Sequence, residues 1–291
     1  MTVSGGRIMP AQGAFDLHLH AGPDLVPRRC DDLELANLAV EYGMSGFLLK
    51  AHHGSTVERA YLIGRLEPRL RVAGGITLND WCGGFNPVAV ELAIRLGARC
   101  VWMPTQSAAN HVRHYGSKQG PSRNDGGLSV LDERGRIRPE VHDILALIAE
   151  ADIILATGHL GADEIWPLFE AARAAGVKRF VVTHAEFYMV DLSVEAQKEL
   201  ARQGAYLEHC LLVVHPRGGH GGPENFDRIV ASIRATGPEP HVIATDYGQA
   251  DNPPPPAGMA DFIQRLAAAG FRDDEIERMA RHNALELVFG G

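Results

Sequence analysis

The chain predicts an α/β fold: a (β/α)8 barrel of distorted outline, with a long insertion after its fourth strand. A strand-like apolar run followed by a helical pattern recurs eight times along the sequence. The strand candidates are near-continuous apolar runs, not alternating ones, which marks a parallel sheet covered on its outside by helices. The 291 residues suit such a barrel, which takes about 250 residues as one unit. One barrel domain over 1–291 is therefore expected.

The strands are expected at 15–20, 46–52, 71–78, 99–104, 153–159, 179–184, 205–210 and 241–246. Amphipathic segments fall between and after them, at 33–42, 57–66, 87–96, 141–151, 162–175, 193–203, 224–235 and 259–269. Gly43, Gly97, Gly176, Gly204 and Gly237 close helical patterns, where a left-handed backbone ends a helix. Two stretches depart from the repeat. Residues 107–140 form a long insertion with a hairpin expected at 128–131 and 136–138, about Glu133-Arg134-Gly135. Residues 247–258 form a loop stiffened by Pro253, Pro254, Pro255 and Pro256. Both follow the carboxyl ends of strands, the catalytic face of a barrel, so both are candidate lids.

With 45% apolar and 22% charged residues, the composition is that of a globular protein able to bury a large core. A net charge of −8 and the lack of a basic run interleaved with aromatics argue against nucleic acid as a partner. No apolar stretch approaches the roughly 20 residues that span a bilayer. Residues 1–12 lack a basic and an apolar leader region, so a cytoplasmic location is expected, with no membrane partner. Cys30, Cys82, Cys100 and Cys210 are widely spaced, which indicates reduced thiols and neither a zinc knuckle nor a redox pair. A homo-oligomer is compatible with the chain, but no stripe in the sequence shows how copies would pair.

Asp16-Leu17-His18-Leu19-His20 carries the clearest chemistry. A strand's period of two turns His18 and His20 to one face, and neutral imidazole is a common ligand of zinc-like ions. Alone, the pair reads equally well as two histidines on a solvated strand. The register decides between them: His18, His20, His159, His184 and Asp246 all fall at the carboxyl ends of their strands. Each histidine by itself could cap a loop or satisfy a carbonyl. Packed together without a cation, the set would leave buried polar groups competing for too few partners.

On these residues the chain resembles the amidohydrolase superfamily of metal-dependent barrel enzymes. The matching motifs are Asp16-Leu17-His18-Leu19-His20, Thr157-Gly158-His159, Thr183-His184 and Thr245-Asp246, followed by Arg281-His282-Asn283-Ala284, which is similar to the family's C-terminal helix signature. Lys50-Ala51-His52 further resembles a smaller amidohydrolase-related bacterial group. Many members of the superfamily place a bridging carboxylated lysine or glutamate on the fourth strand, whereas Arg99-Cys100-Val101-Trp102-Met103-Pro104 offers none. Lys50 could take that place as a carbamylated bridge, or serve as a cation for a substrate carboxylate or oxyanion.

The resemblance implies one or two divalent ions, zinc first and manganese or iron next, held by His18, His20, His159, His184 and Asp246. It implies a hydrolase in which a metal-activated water cleaves a C–N or C–O bond of a small amide, lactone or ester. Asp246 would be the general base and acid, with His184 and Lys50 at the reacting carbonyl. His52, Arg28, Arg29, Arg217 and His220 are candidate contacts to a small, anionic substrate. Of Glu208 and His209, which alternate on the seventh strand, only one can face the mouth. His111, Arg113 and His114 in the insertion are placed to close over a substrate. A decarboxylase or other lyase of the same superfamily is the nearest alternative, and a silent barrel that binds metal or metabolite without turnover is another.

Overall fold

A computed structural model of the protein describes residues 11–116, 125–215 and 222–290. The strands are β1 (Phe15–Leu19), β2 (Gly46–Leu49), β3 (Arg71–Thr77), β4 (Cys100–Trp102), β5 (Ile154–Ala156), β6 (Arg179–Val182), β7 (Tyr206–Cys210) and β8 (His241–Ala244). They form one parallel sheet in the order β1 to β8, the (β/α)8 barrel the sequence predicts. Its outer layer is α1 (Asp32–Glu41), α2 (Val57–Leu66), α3 (Pro87–Leu96), α5 (Pro139–Ala151), α6 (Ala162–Ala175), α7 (Val194–Arg202), α8 (Glu224–Thr236) and α9 (Pro255–Ala268); α4 (Ala109–Tyr115) lies in the insertion. After α9, α10 (Asp273–Glu277), a π-helical turn at Arg278–His282 and α11 (Asn283–Phe289) complete the chain. No helix among the described residues is long and apolar enough to cross a membrane.

Local chemistry explains several boundaries. Asp31 accepts from the backbone N–H groups of Leu33 and Glu34 while Glu34 accepts from Asp31 N–H, a capping box that starts α1. Backbone φ is positive at all five glycines expected to end helices. The proline-rich loop is shorter than expected because α9 begins four residues early: Pro255 and Pro256 occupy its first turn, where a missing N–H leaves no bond unmade. The hairpin expected in the insertion narrows to a single antiparallel bridge, Leu131 to Ile137, closed by Asp132 N–H donating to the Arg136 carbonyl at 2.7 Å. The signature at 281–284 proves to be a tie at the barrel's base: Asn283 Nδ2 lies within 3.0 Å of the carbonyls of Pro238, Glu239 and His241.

All strands except β7 stop short of their expected ends. The polar residues at those ends leave the ladder and turn into the mouth, and at His184 and Asp246 the turn is sharp enough to give φ of 35° and 51°. Non-glycine residues in that region carry backbone strain, which accumulates at functional sites.

Barrel closure depends on a short seam. Asp246 N–H donates to the His18 carbonyl at 2.7 Å and His20 N–H to the Tyr247 carbonyl at 2.8 Å. Beneath them, Asp16 Oδ1 accepts from the N–H groups of His18 and Thr245, both at 3.1 Å, and Oδ2 from Thr245 Oγ1 at 2.5 Å. Asp16 is fully buried; burial lifts its pKa to about 7 although the three donors pull it down.

Asp16→Ala leaves two backbone donors and a hydroxyl unpaired inside the barrel, and urea unfolding is expected to show a loss of about 2–5 kcal/mol. Asp16→Asn keeps an acceptor for the two N–H groups and a donor for Thr245 Oγ1, so it is expected to lose less than half as much. Equal losses from the two variants would contradict the seam assignment.

Candidate metal centre

The carboxyl ends of the strands deliver a ring of buried histidines. His18 and His20 from β1 lie with ring centroids 5.5 Å apart, and His20 stacks on His52, just beyond β2, at 4.8 Å. His159 after β5 lies 5.0 Å from His184 after β6, and His184 lies 6.1 Å from His18. Asp246 closes the group, its Oδ1 3.0 Å from His18 Nε2 and 3.2 Å from His20 Nε2. His18, His20 and Asp246 thus present ligand atoms mutually close enough for one cation.

The orientation of His18 is fixed from behind. Glu208 points inward from β7 and accepts from Nδ1 at 2.8 Å, while its neighbour His209 turns the other way, buried against Glu186 and His241. Cys210 Sγ donates to the same Glu208 oxygen at 3.2 Å. A carboxylate on the far nitrogen of a histidine sets ring angle and basicity, the usual arrangement around a metal ligand. Glu208 was half visible in the sequence, as one of two alternating residues; its contact with His18 across 190 positions was not.

Lys50 Nζ lies 2.9 Å from His18 Nε2, in the middle of the cluster, and is fully buried. Burial lowers the Lys50 pKa against the pull of the Asp246 and Glu208 carboxylates. Burial also opposes charge on His18, but Asp246 and Glu208 outweigh it and lift His18 to about 9. His20 falls to about 3 through burial and the nearby Arg28, and His184 to about 3 through burial. Burial likewise holds His52 and His159 well below their usual range. Asp246 is the reverse: burial alone would raise it, yet the charge and hydrogen bond of His18 hold it well below the carboxylate range. The centre is therefore an ionised carboxylate with four neutral imidazoles and one, His18, that holds its proton until a metal displaces it.

A cation also explains what is missing. Both ring nitrogens of His184 and Nδ1 of His20 are buried without a hydrogen-bond partner. Buried polar atoms are nearly always satisfied, and a donor set of unpaired imidazole nitrogens with a carboxylate fits a divalent ion of the zinc type. The residues present fit a metal.

A cavity of about 330 Å³ opens over this ring, lined by His20, Arg28, His52, His111, His159 and Asp246 together with Gln106, Tyr115, Phe187, Leu212 and Gln249. Its size suits a small molecule. Arg28 reaches it while bound to Asp24, Nε at 2.8 Å and Nη2 at 2.7 Å, and Asp24 also holds His53 Nε2 at 2.8 Å. His52 is oriented through Thr105 Oγ1 at 2.9 Å, which in turn accepts from Asn79 Nδ2 at 2.8 Å. His111 pairs with His159 between their Nδ1 atoms at 2.8 Å. His114 instead sits edge-on to Tyr188, and Arg113 bonds Asn110. Arg29 departs from expectation: it lines a separate hollow with His215, Asp251 and Asn252, because its backbone N–H is tied to the Gly248 carbonyl on the far side of the loop. Arg217 and His220 lie outside the described residues.

A family model matches residues 13–208, more than half of the chain. The chain belongs to that family, a family of unknown function (DUF6282). The DUF6282 match spans β1 to Glu208 and so contains every clustered group except Cys210 and Asp246. No curated protein matches the sequence. Solved structures similar to this DUF6282 chain include an amidohydrolase from Pseudomonas aeruginosa, 12% identical, with 98% of each chain covered and a TM-score of 0.64. A dipeptidase that is a metallopeptidase is 12% identical, with 97% of this chain and 100% of that chain covered, at 0.63. A 2,6-dihydroxybenzoate decarboxylase from Rhizobium is 13% identical, with 95% and 98% covered, at 0.56. At such identities the likeness speaks for the fold alone: this DUF6282 member shares the (β/α)8 barrel of these structures.

Glu208→Gln is expected to weaken metal affinity ~10–100-fold while leaving the melting temperature within a few degrees. Competition against a chromophoric chelator measures it; unchanged affinity would remove Glu208 from behind the ligand.

Proposed function

We propose that this protein is a metal-dependent hydrolase acting on a C–N or C–O bond of a small amide, lactone or ester. The observation that carries the reading is the convergence of His18, His20 and Asp246 beneath the mouth cavity, with His184 buried and unpaired beside them. His18, His20 and Asp246 would hold the ion with His159 and His184, and zinc suits this nitrogen-rich set best. Bound there, a divalent cation supplies Lewis acidity and makes water acidic near neutral pH.

The chain's own residues account for the remaining chemistry. Asp246, ionised and positioned by the seam, takes the proton of the attacking water and returns it to the leaving nitrogen or oxygen. His184, neutral and with both ring nitrogens unpaired, either joins the ligands or, where one ion is held by the other residues alone, meets the substrate carbonyl. Arg28 and His52 line the cavity and would contact an anionic group on the substrate. Lys50 would stand in for the carboxylate that β4 lacks: burial favours its neutral amine, whose nitrogen adds to carbon dioxide as the C=O π pair moves to oxygen and an N–H proton is lost to solvent, giving a carbamate.

An unpaired His184 beside an ionised base does not suit a silent barrel, since a structural ion would saturate its donors and need no base. The decarboxylase reading separates by product. A panel of esters, lactones and amides followed by proton release and by carbon dioxide release is expected to give acid without carbon dioxide; carbon dioxide as product would make the enzyme a lyase.

Asp246→Asn is expected to keep bound metal within twofold by elemental analysis and to lower turnover ~10²–10⁴-fold. Full activity in that variant, or an absence of metal in wild-type protein purified without chelator, would sink the proposal. Protein prepared without bicarbonate is expected to lose metal and to regain it when bicarbonate is restored; metal content independent of bicarbonate would make Lys50 an ammonium contact to substrate instead.

A further inference from the structure

Among the described residues, the large apolar side chains that are at least half exposed all fall between Leu25 and Leu96. Six of them lie on two neighbouring outer helices. On α2 they are Tyr61 (67% exposed), Leu62 (59%) and Leu66 (69%), and on α3 Val88 (73%), Leu92 (59%) and Leu96 (50%). Leu33 on α1, which packs beside α2, extends the same side at 52%. The other outer helices present no such residues. Helices of this kind ordinarily turn one apolar stripe to the barrel and a polar face to water, and α2 and α3 do bury Val57, Ala60, Ile63, Val90 and Ala93. They therefore carry a second apolar stripe, with i, i+4 spacing, that has nothing to cover in this chain.

We propose that the outer face of α2 and α3 is the interface of a two-fold homodimer. The six side chains together offer on the order of 600 Å² of apolar surface, at the upper end of the largest patch a monomer exposes. With its polar rim that approaches the roughly 800 Å² per partner of a standard stable interface. The polar residues beside the stripe are self-complementary. Glu91 and Arg95 are exposed on one edge of α3, one turn apart and 3.6 Å from each other. An axis passing between Leu92 and Ala93 runs α3 antiparallel to its copy, so that Val88 meets the partner's Leu96, Leu92 meets its own copy, and Glu91 faces the partner's Arg95. On α2, Glu58 and Arg65 are likewise exposed around Tyr61, Leu62 and Leu66. An isologous dimer requires one patch to satisfy itself in charge, and this one carries two acidic and two basic residues beside the apolar stripes of two neighbouring helices.

Sedimentation equilibrium of the full chain tests this, with thermal melting to check folding. Wild-type protein is expected to sediment at twice the chain mass at micromolar concentration. Leu62→Glu/Leu92→Glu is expected to be monomeric, with a dissociation constant raised at least ~100-fold and a melting curve that stays cooperative. Glu91→Arg and Arg95→Glu are each expected to weaken association, and the double exchange to restore it. A wild-type monomer at every concentration overturns the proposal and leaves the face to a partner of different sequence. A dimer that persists in Leu62→Glu/Leu92→Glu overturns it as well, since the contact then lies elsewhere. Neither result bears on metal content, which separates this proposal from the hydrolase reading.

Discussion

The architecture hangs on the seam between the first strand and the last. Asp16 reaches across 229 positions of sequence to hold Thr245 by backbone and hydroxyl, and it also fixes the backbone of His18. One carboxylate thereby joins the sheet's two edges and sets the two residues that matter most, His18 and Asp246, against each other. Parallel pairing offers no tight turn to align first and last strands, so a side-chain clasp at this point controls both closure and the geometry directly above it. The left-handed backbone at Asp246 and its N–H bond to the His18 carbonyl are consequences of the same constraint.

Above the seam, the centre is built by opposing burial with charge. Removing five histidines from water strips four of them of protons, and a single ionised aspartate is kept charged by the one histidine that resists. Asp246 and, behind the ring, Glu208 make His18 that exception, and Lys50 occupies the space where these charges meet. The result is a pocket of lone pairs aimed inward with few hydrogens to fill them, an unstable arrangement for a protein alone and a favourable one for a cation. The loops then do separate work: α4 brings His111 over His159, while Asn79 ties the segments after β2 and β4 and so steadies His52.

Much of this is legible in the sequence. The eight-fold alternation and the placement of His18, His20, His159, His184 and Asp246 at strand ends follow from period-two geometry and from apolar runs, both local properties. Lys50 and His52 were readable as a pair for the same reason. Three things were not. The match of Glu208 to His18 depends on how β7 and β1 meet across the barrel interior. Arg29 looked like a mouth residue because it adjoins Arg28, but a single backbone bond turns it to another hollow. The apolar outer stripes of α2 and α3 were hidden because each helix carries two apolar faces, and sequence alone does not tell which one faces the barrel.

The central claim is that the histidine ring is a metal centre. Crystals of protein purified without chelator, measured on either side of the zinc absorption edge, test it most directly. An anomalous peak about 2.0–2.2 Å from His18 Nε2, His20 and Asp246 is the predicted result. A ring free of anomalous density after incubation with zinc, manganese and iron salts, with Lys50 still seated on His18, would contradict it.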